Sequence, residues 1–297
     1  MATAFCPAHI TGFFKAELSK KDSKQLGSLG AGFSIEKGVK TTVTIREKTK
    51  HDISNFTIKV NGFESGDMRV SEVVLSKFST QGKFVDIIHE IDVPVGYGFG
   101  CSAAVALSLS IALNDALKSK LSKIEVAQIA HDVEIECKTG LGDVLASYHG
   151  GFEIRDKPGA PGIGHVQKIN LNKISIIMIC FSPISTSKFI KERLSQINGL
   201  GGKMVDELLE SKNYEHFQEM SLEFAKYVNV MTPRMQKVVD ELSSNNIKCG
   251  IALFGETIFS MIPKEKEGKV LKILEKFSDG IIIKSKLDDV GARILNN

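Results

Sequence analysis

Tryptophan is absent from this sequence, tyrosine occurs four times, and no basic stripe runs through it. A protein that holds single-stranded nucleic acid by stacking needs exposed aromatic rings and a tract of positive charge. The net charge of +3, from 38 basic and 35 acidic residues, is too small to hold a polyanion unaided. The densest basic group, Lys20, Lys21 and Lys24, is short and reads as a solvated loop. Long apolar runs are missing too. The longest, Ile174 to Phe181, has the length of a buried strand and not of a membrane span. No basic segment or leader opens the chain, so no signal peptide is expected. Cys-x-x-Cys pairs are also lacking. The five cysteines, Cys6, Cys101, Cys137, Cys180 and Cys249, are odd in number and widely spaced. A disulfide framework or zinc site is therefore not expected, and a reducing cytoplasm is the natural compartment.

What is present is an ordinary globular composition, 42% hydrophobic and 25% charged over 297 residues, enough for two domains. Strand-like segments are read at Phe5–Phe14, Phe33–Ile35, Val39–Glu47, Phe56–Val60 and Val85–Val93. Gly27-Ser-Leu-Gly-Ala-Gly32 interrupts them as a glycine-rich stretch. Helices are read at Val70–Phe78, Ser102–Lys118 and Lys123–Cys137, the last with Val126, Ile129, Ala130, Val133 and Cys137 on one face. Lys157-Pro-Gly-Ala-Pro-Gly-Ile-Gly164 reads as a loop and as the domain boundary, giving domains 1–164 and 165–297. The second half reads as strand Ile174–Phe181, helices from about Thr186 to Ser244, strands Lys248–Phe254 and Thr257–Ile262, helix Glu265–Phe277 and strand Gly280–Lys284. This order predicts a two-domain α+β protein with helices on a mainly antiparallel sheet.

The most informative stretch is Pro94-Val-Gly-Tyr-Gly-Phe-Gly-Cys-Ser-Ala-Ala104. A strand leads in, Gly96, Gly98 and Gly100 alternate, and a helix follows at once. Glycines let backbone N–H groups approach an anion closely, and the helix start adds unpaired donors and a positive dipole end. Ser102 in the first turn offers a hydroxyl for a phosphate oxygen or a magnesium ion. The stretch is not the common P-loop: its nearest counterpart, Gly199-Leu-Gly-Gly-Lys203, is followed by Met204 instead of Ser or Thr. It is not a dinucleotide fingerprint either.

Three further positions carry chemistry. Asp143 lies in Thr139-Gly-Leu-Gly-Asp-Val144, where it can meet an attacking hydroxyl, although on spacing alone an Asp in an ordinary glycine turn is the simpler reading. Glu134 borders the apolar stripe of its helix, where a carboxylate can hold Mg²⁺, and periodicity does not choose it over Glu136. His131, one turn earlier, is a structural histidine or an anion donor.

Pro-x3-Gly-x-Gly-Ser-Ser-Ala-Ala is the central motif of the GHMP kinases, and the stretch from Pro94 resembles it with one departure, Cys101 in place of the first Ser. The resemblance extends over the whole chain. It implies a ribosomal protein S5 domain 2-like N-terminal domain, a ferredoxin-like C-terminal domain and ATP with Mg²⁺. It implies ATP binding by Pro94, Gly96, Gly98, Gly100, Cys101, Ser102 and Ala103, metal binding by Ser102 and Glu134, and a catalytic acidic residue at Asp143. Two motifs depart from the general family pattern. Pro7-Ala-His9 stands where most members have Pro-Gly-Lys, and Cys249-Gly-Ile-Ala-Leu-Phe-Gly255 keeps two glycines of a richer cluster.

These departures are similar to one branch, the archaeal pantoate kinases. The shared segments are Pro7–Phe14, Gly27–Gly32, Thr139–Val144, Gly150–Arg155 and Pro158–Gly162. The branch implies phosphorylation of the 4-hydroxyl of pantoate to 4-phosphopantoate for coenzyme A synthesis. Because that substrate is a carboxylate, Arg155, able to form two hydrogen bonds to it, is the first choice for binding it. A surface charge after a strand is the plainer reading of Arg155. Ser28, His131 and Thr186 follow by resemblance; His9 is a further substrate-binding candidate, and whether it replaces the missing lysine is left open by the sequence. A small-molecule partner, a homodimer, no nucleic acid and no membrane complete the expectation. The alternatives are a GHMP kinase for homoserine or a mevalonate-like acid, and a non-catalytic S5-like protein that binds nucleic acid.

Overall fold

The computed structural model describes residues 1–63 and 66–295; the side chains of Thr186 and Ser187 lie outside that description. In chain order the first elements are β1 (Ala2–Glu17), β2 (Gly27–Glu47), β3 (Phe56–Gly62), α1 (Arg69–Ser76), β4 (Lys83–Ile91), α2 (Cys101–Leu117), α3 (Lys123–Cys137), α4 (Asp143–His149), β5 (Phe152–Lys157) and β6 (His165–Ile169). They are followed by β7 (Ile174–Pro183), α5 (Thr186–Ser211), α6 (Tyr214–Tyr227), α7 (Pro233–Ser244), β8 (Gly250–Ala252), β9 (Gly255–Pro263), α8 (Glu267–Leu274), β10 (Ile281–Ser285) and β11 (Arg293–Leu295).

The first sheet runs β11-β1-β2-β4-β3, with β5 added to β2 and β6 to β5. β2 changes partners along its length: residues 30–33 pair with β5 and residues 39–47 with β4. The Gly27–Gly32 stretch, read from sequence as a separate segment, is the start of this continuous strand. Its glycines serve close approach and not a turn. A Cβ at Gly30 would stand 2.6 Å from Arg155 Nη2, and one at Gly32 2.5 Å from His9 Nε2. The second sheet has the antiparallel order β10-β7-β9-β8. With its helices this is the β-α-β-β-α-β arrangement of a ferredoxin-like unit, so the α+β architecture expected from the sequence is the one observed.

The boundary expected at residue 164 needs correction. Residues 157–164 connect β5 to β6, which pair as a hairpin in the first sheet. The second unit begins only at β7, and β11 returns to pair with β1. The two units share one core. Phe13, Phe33 and Phe152 of the first sheet meet Phe217 of α6 and Phe259 of β9, with ring centroids 5.0–6.2 Å apart. Gly12 makes room for this contact, since a Cβ there would lie 2.6 Å from the Phe217 ring.

α2 and α3 pack together against this first unit. α2 starts with no acidic residue in its own first turn; the Asp143 carboxyl of α4 packs against its N-cap, Gly100. α3 opens with a reciprocal capping box between Ser122 and Glu125. No helix among the described residues is long and apolar enough to cross a membrane.

Candidate active site

The alternate glycines form a left-handed chain of turns, with φ of +85° at Gly96, +86° at Gly98 and +57° at Gly100, the residue that caps α2. Only glycine adopts such values without strain. The loop is braced from the second unit. A Cβ at Gly98 would meet the Leu253 carbonyl oxygen at 2.4 Å, and one at Gly255 would meet the Tyr97 carbonyl at 2.1 Å. Thr257 Oγ1 donates to the Tyr97 carbonyl over 2.8 Å, and the Ile184 N–H donates to the Gly96 carbonyl over 3.0 Å. Of the two glycines kept in the C-terminal motif, Gly255 therefore shapes the loop from behind, while Gly250 makes room for Ser221 and Phe259. Sequence reading saw Gly255 as a weakened motif; the fold gives it a mechanical role.

A cavity of about 420 Å³ opens over this loop, lined by Gly96, Gly98, Gly100, Cys101, Ser102, Thr139 and Asp143 among others. A second cavity of about 200 Å³ adjoins it, sharing Val95, Cys101, Ser102 and Thr139 and walled by apolar side chains such as Val60, Val70 and Ile91. Cys101 offers only its backbone there. Its thiol is buried and directed at the Pro94 carbonyl, 3.7 Å away, and burial pushes its pKa up to about 12. Pro94 and Ala103 are not among the lining residues; they shape the turn and the first turn of α2.

Ser102, Thr139 and Asp143 line one edge of the first cavity, and Glu134 lies buried behind them, accepting from Thr139 Oγ1. Glu134 is buried, and that burial, reinforced by the nearby Asp143 charge, pushes its pKa up to about 7 against hydrogen bonds from Thr139 and Ser102. Its Oε2 has no partner among the described residues. A buried carboxylate with a spare oxygen fits a cation, and Ser102 supplies a hydroxyl beside it. Among the described residues no cluster of three or more His, Cys, Asp or Glu forms a ready metal cage. This suits a magnesium ion that takes its remaining ligands from phosphates and water.

Asp143 is the first residue of α4 and retains a small exposed face, with 15% side-chain accessibility. His9 Nδ1 lies 2.8 Å from Asp143 Oδ1, and His9 Nε2 lies 2.8 Å from Glu153 Oε1. Glu153 also accepts from Arg155 Nη1. Burial alone would raise the Asp143 pKa; the His9 hydrogen bond and charge, with Arg155 and Thr11, outweigh it and hold the carboxyl below its ordinary value. Burial likewise opposes protonation of His9, yet its bonds to Asp143 and Glu153 raise its pKa overall.

His9 is fully buried, with both ring nitrogens engaged by carboxylates, so it has no donor left for a substrate. The expectation that His9 contacts substrate is thus replaced by contact with Asp143. Nor is Arg155 a surface charge: it is 1% exposed. It lines a small cavity of about 10 Å³ with Ser28, Gly142, Asp143, Ile190 and Phe254. His131 is not brought to any of these cavities. Its Nε2 lies 3.1 Å from the Ser23 carbonyl, and burial lowers its pKa, so it buttresses the turn before Ser28 as a neutral imidazole. The expected role of Thr186 falls on a side chain outside the described residues. Sequence reading missed Thr11, Thr139 and Glu153. Glu153 carried one usable signal, its alternation with Arg155 on the same face of a strand.

Residues 68–151 match the model for the N-terminal domain of GHMP kinases. The chain is 33% identical to the pantoate kinase of Methanocaldococcus jannaschii over 91% of its length and 96% of that protein. It is 28% identical to the pantoate kinase of Thermococcus kodakarensis, with 91% of each chain covered. Among solved structures, a phosphotransferase related to the CoA biosynthesis pathway superposes with a TM-score of 0.88 at 26% identity, covering 98% of this chain and 97% of the other. A mevalonate kinase superposes with a TM-score of 0.69 at 17% identity over 97% and 99% of the two chains, a likeness of fold alone. Similarity along nearly the whole chain and the matched N-terminal domain agree: this chain belongs to the pantoate kinase family of the GHMP kinases.

Proposed function

We propose that this protein is an ATP-dependent pantoate kinase, transferring the γ-phosphoryl group of ATP to the 4-hydroxyl of pantoate and giving 4-phosphopantoate for coenzyme A synthesis. The observation that carries the reading is Asp143. It is ionised, partly exposed and set at the junction between the glycine-loop cavity and the small cavity holding Arg155.

The backbone from Gly96 to Ser102 and the start of α2 hold the ATP phosphates, and the adjoining apolar cavity receives the base. Ser102 and Glu134 would hold Mg²⁺, which when bound neutralises charge on the phosphate oxygens. Asp143 orients the pantoate hydroxyl and accepts its proton as the oxygen attacks the γ-phosphorus, the bond from that phosphorus to the β,γ-bridging oxygen breaks and ADP leaves. Arg155 and Ser28 form the acid end. At about 10 Å³ their cavity has room for roughly one water. Pantoate therefore reaches Arg155 only when Ile190 of α5 or Phe254 is displaced. The larger neighbouring cavity, about 850 Å³, shares Gly140, Leu141 and Ile190 with it and is the side from which the acid enters. A homodimer remains an expectation of the resemblance, and a cytoplasmic location without a nucleic-acid partner remains an expectation of the composition.

The test is Asp143→Asn, which preserves size but not basicity. Turnover with pantoate falls by roughly 10²–10⁴-fold, the usual contribution of a general base, while ATP binding by calorimetry stays within a few-fold. Turnover like the parent's would remove Asp143 from the chemistry.

A further inference from the structure

The Asp143 carboxylate is held by a buried charge chain that crosses three adjacent strands. His9 is on β1, and its ring passes over Gly32 of β2 to reach Glu153 on β5. The registers place Gly32 opposite Thr11 on one side and opposite Glu153 on the other. A Cβ at Gly32 would stand 2.5 Å from His9 Nε2, so glycine there keeps the passage open. Arg155, two residues after Glu153, closes the chain.

We infer that Glu153 is a positioning residue: it locks His9 as a doubly protonated imidazolium, which in turn fixes the orientation of the Asp143 carboxylate. A neutral imidazole has a single N–H and can donate to one carboxylate only; its other nitrogen would turn a lone pair on the second. Both ring nitrogens of His9 lie 2.8 Å from a carboxylate oxygen. Both distances are satisfied together when both nitrogens carry protons. The ring is fully buried, so no solvent competes for these bonds. Every charged or titratable group facing His9 is accounted for: Asp143 from α4, Glu153 and Arg155 from β5, with the Thr11 hydroxyl 3.4 Å from Nδ1. Arg155 Nη1 is 3.5 Å from His9 Nε2, and Glu153 Oε1 accepts from both, which offsets the repulsion between the two cations. The chain alternates in sign, so His9 supplies positive charge at the acidic centre without touching substrate.

This inference rests on the kinase reading for its kinetic arm only. The experiment combines ring ¹⁵N NMR of the full-length protein, histidine-labelled, with the isosteric variant Glu153→Gln. Expected are two protonated ring nitrogens on His9 from pH 6.5 to 8. In Glu153→Gln the His9 midpoint falls by at least one unit, kcat with pantoate drops roughly ten- to a hundredfold, and the KM for ATP stays within twofold. A packing role alone would lower the melting temperature without moving the His9 midpoint. A singly protonated His9 in the parent protein over that range overturns the inference whatever the substrate is and whether or not the variant folds. So does a folded Glu153→Gln protein with an unchanged His9 midpoint and kcat.

Discussion

Alanine at Gly98 tests the phosphate-binding turn because the same change at Gly82 provides an internal control. Both residues have left-handed backbones, φ +86° at Gly98 and +75° at Gly82. A Cβ at Gly82 meets nothing within 4 Å, whereas at Gly98 it meets the Leu253 carbonyl oxygen at 2.4 Å. Left-handed backbone with a Cβ costs roughly 1–2 kcal/mol, which is all that Gly82→Ala incurs. Gly98→Ala adds displacement of the β8–β9 turn from the loop, for a total of roughly 2–4 kcal/mol. At about 2–3 °C per kcal/mol for a chain of this size, the melting temperature falls by roughly 2–6 °C for Gly82→Ala and roughly 4–12 °C for Gly98→Ala. Calorimetric ATP binding is the decisive assay: it weakens at least tenfold for Gly98→Ala and is unchanged for Gly82→Ala. Equal melting temperatures and equal ATP affinities in the two variants would refute the idea that the second unit presses the turn into shape.

Two further outcomes follow from buried charges. Glu134 has a folded pKa of about 7, above its ordinary value of 4.5. Between those values the folded state binds more protons than the unfolded one, so in metal-free protein this group takes stability away as pH rises from about 4.5 to about 7. Glu134→Gln flattens that part of the melting-temperature profile, and a profile identical to the parent's would show that the carboxyl is not held this way. Arg155→Ala leaves Glu153 buried beside His9 with one cation fewer. Removing one partner of a buried pair costs roughly 3–5 kcal/mol, so denaturant unfolding shifts strongly, and a change under 1 kcal/mol would contradict the ion pair.

Much of this arrangement was legible in the order of residues. The left-handed turns at Gly96, Gly98 and Gly100 ahead of α2 were legible because backbone conformation and helix start are local properties. The apolar stripe placed α3 but did not choose Glu134 over Glu136; the fold buries the first and leaves the second exposed. The partnership of His9 with Asp143 was not legible, since 134 residues separate them and only the packing of α4 against β1 brings them together. The 157–164 segment misled because proline and glycine mark a hairpin connection as readily as a domain boundary. β11, three residues long, carries too short a pattern to read. Gly30 and Gly32 read only as part of a glycine-rich interruption between strands, whereas in the fold they lie within a strand and admit the Arg155 and His9 side chains across it.

The most direct test of the account is ADP release by purified protein with Mg-ATP, comparing pantoate, pantothenate, homoserine and mevalonate as acceptors. The account predicts strong turnover with pantoate alone and its loss in Asp143→Asn. Turnover with another acid in preference to pantoate, or none with any of them in folded protein that binds ATP, would contradict it.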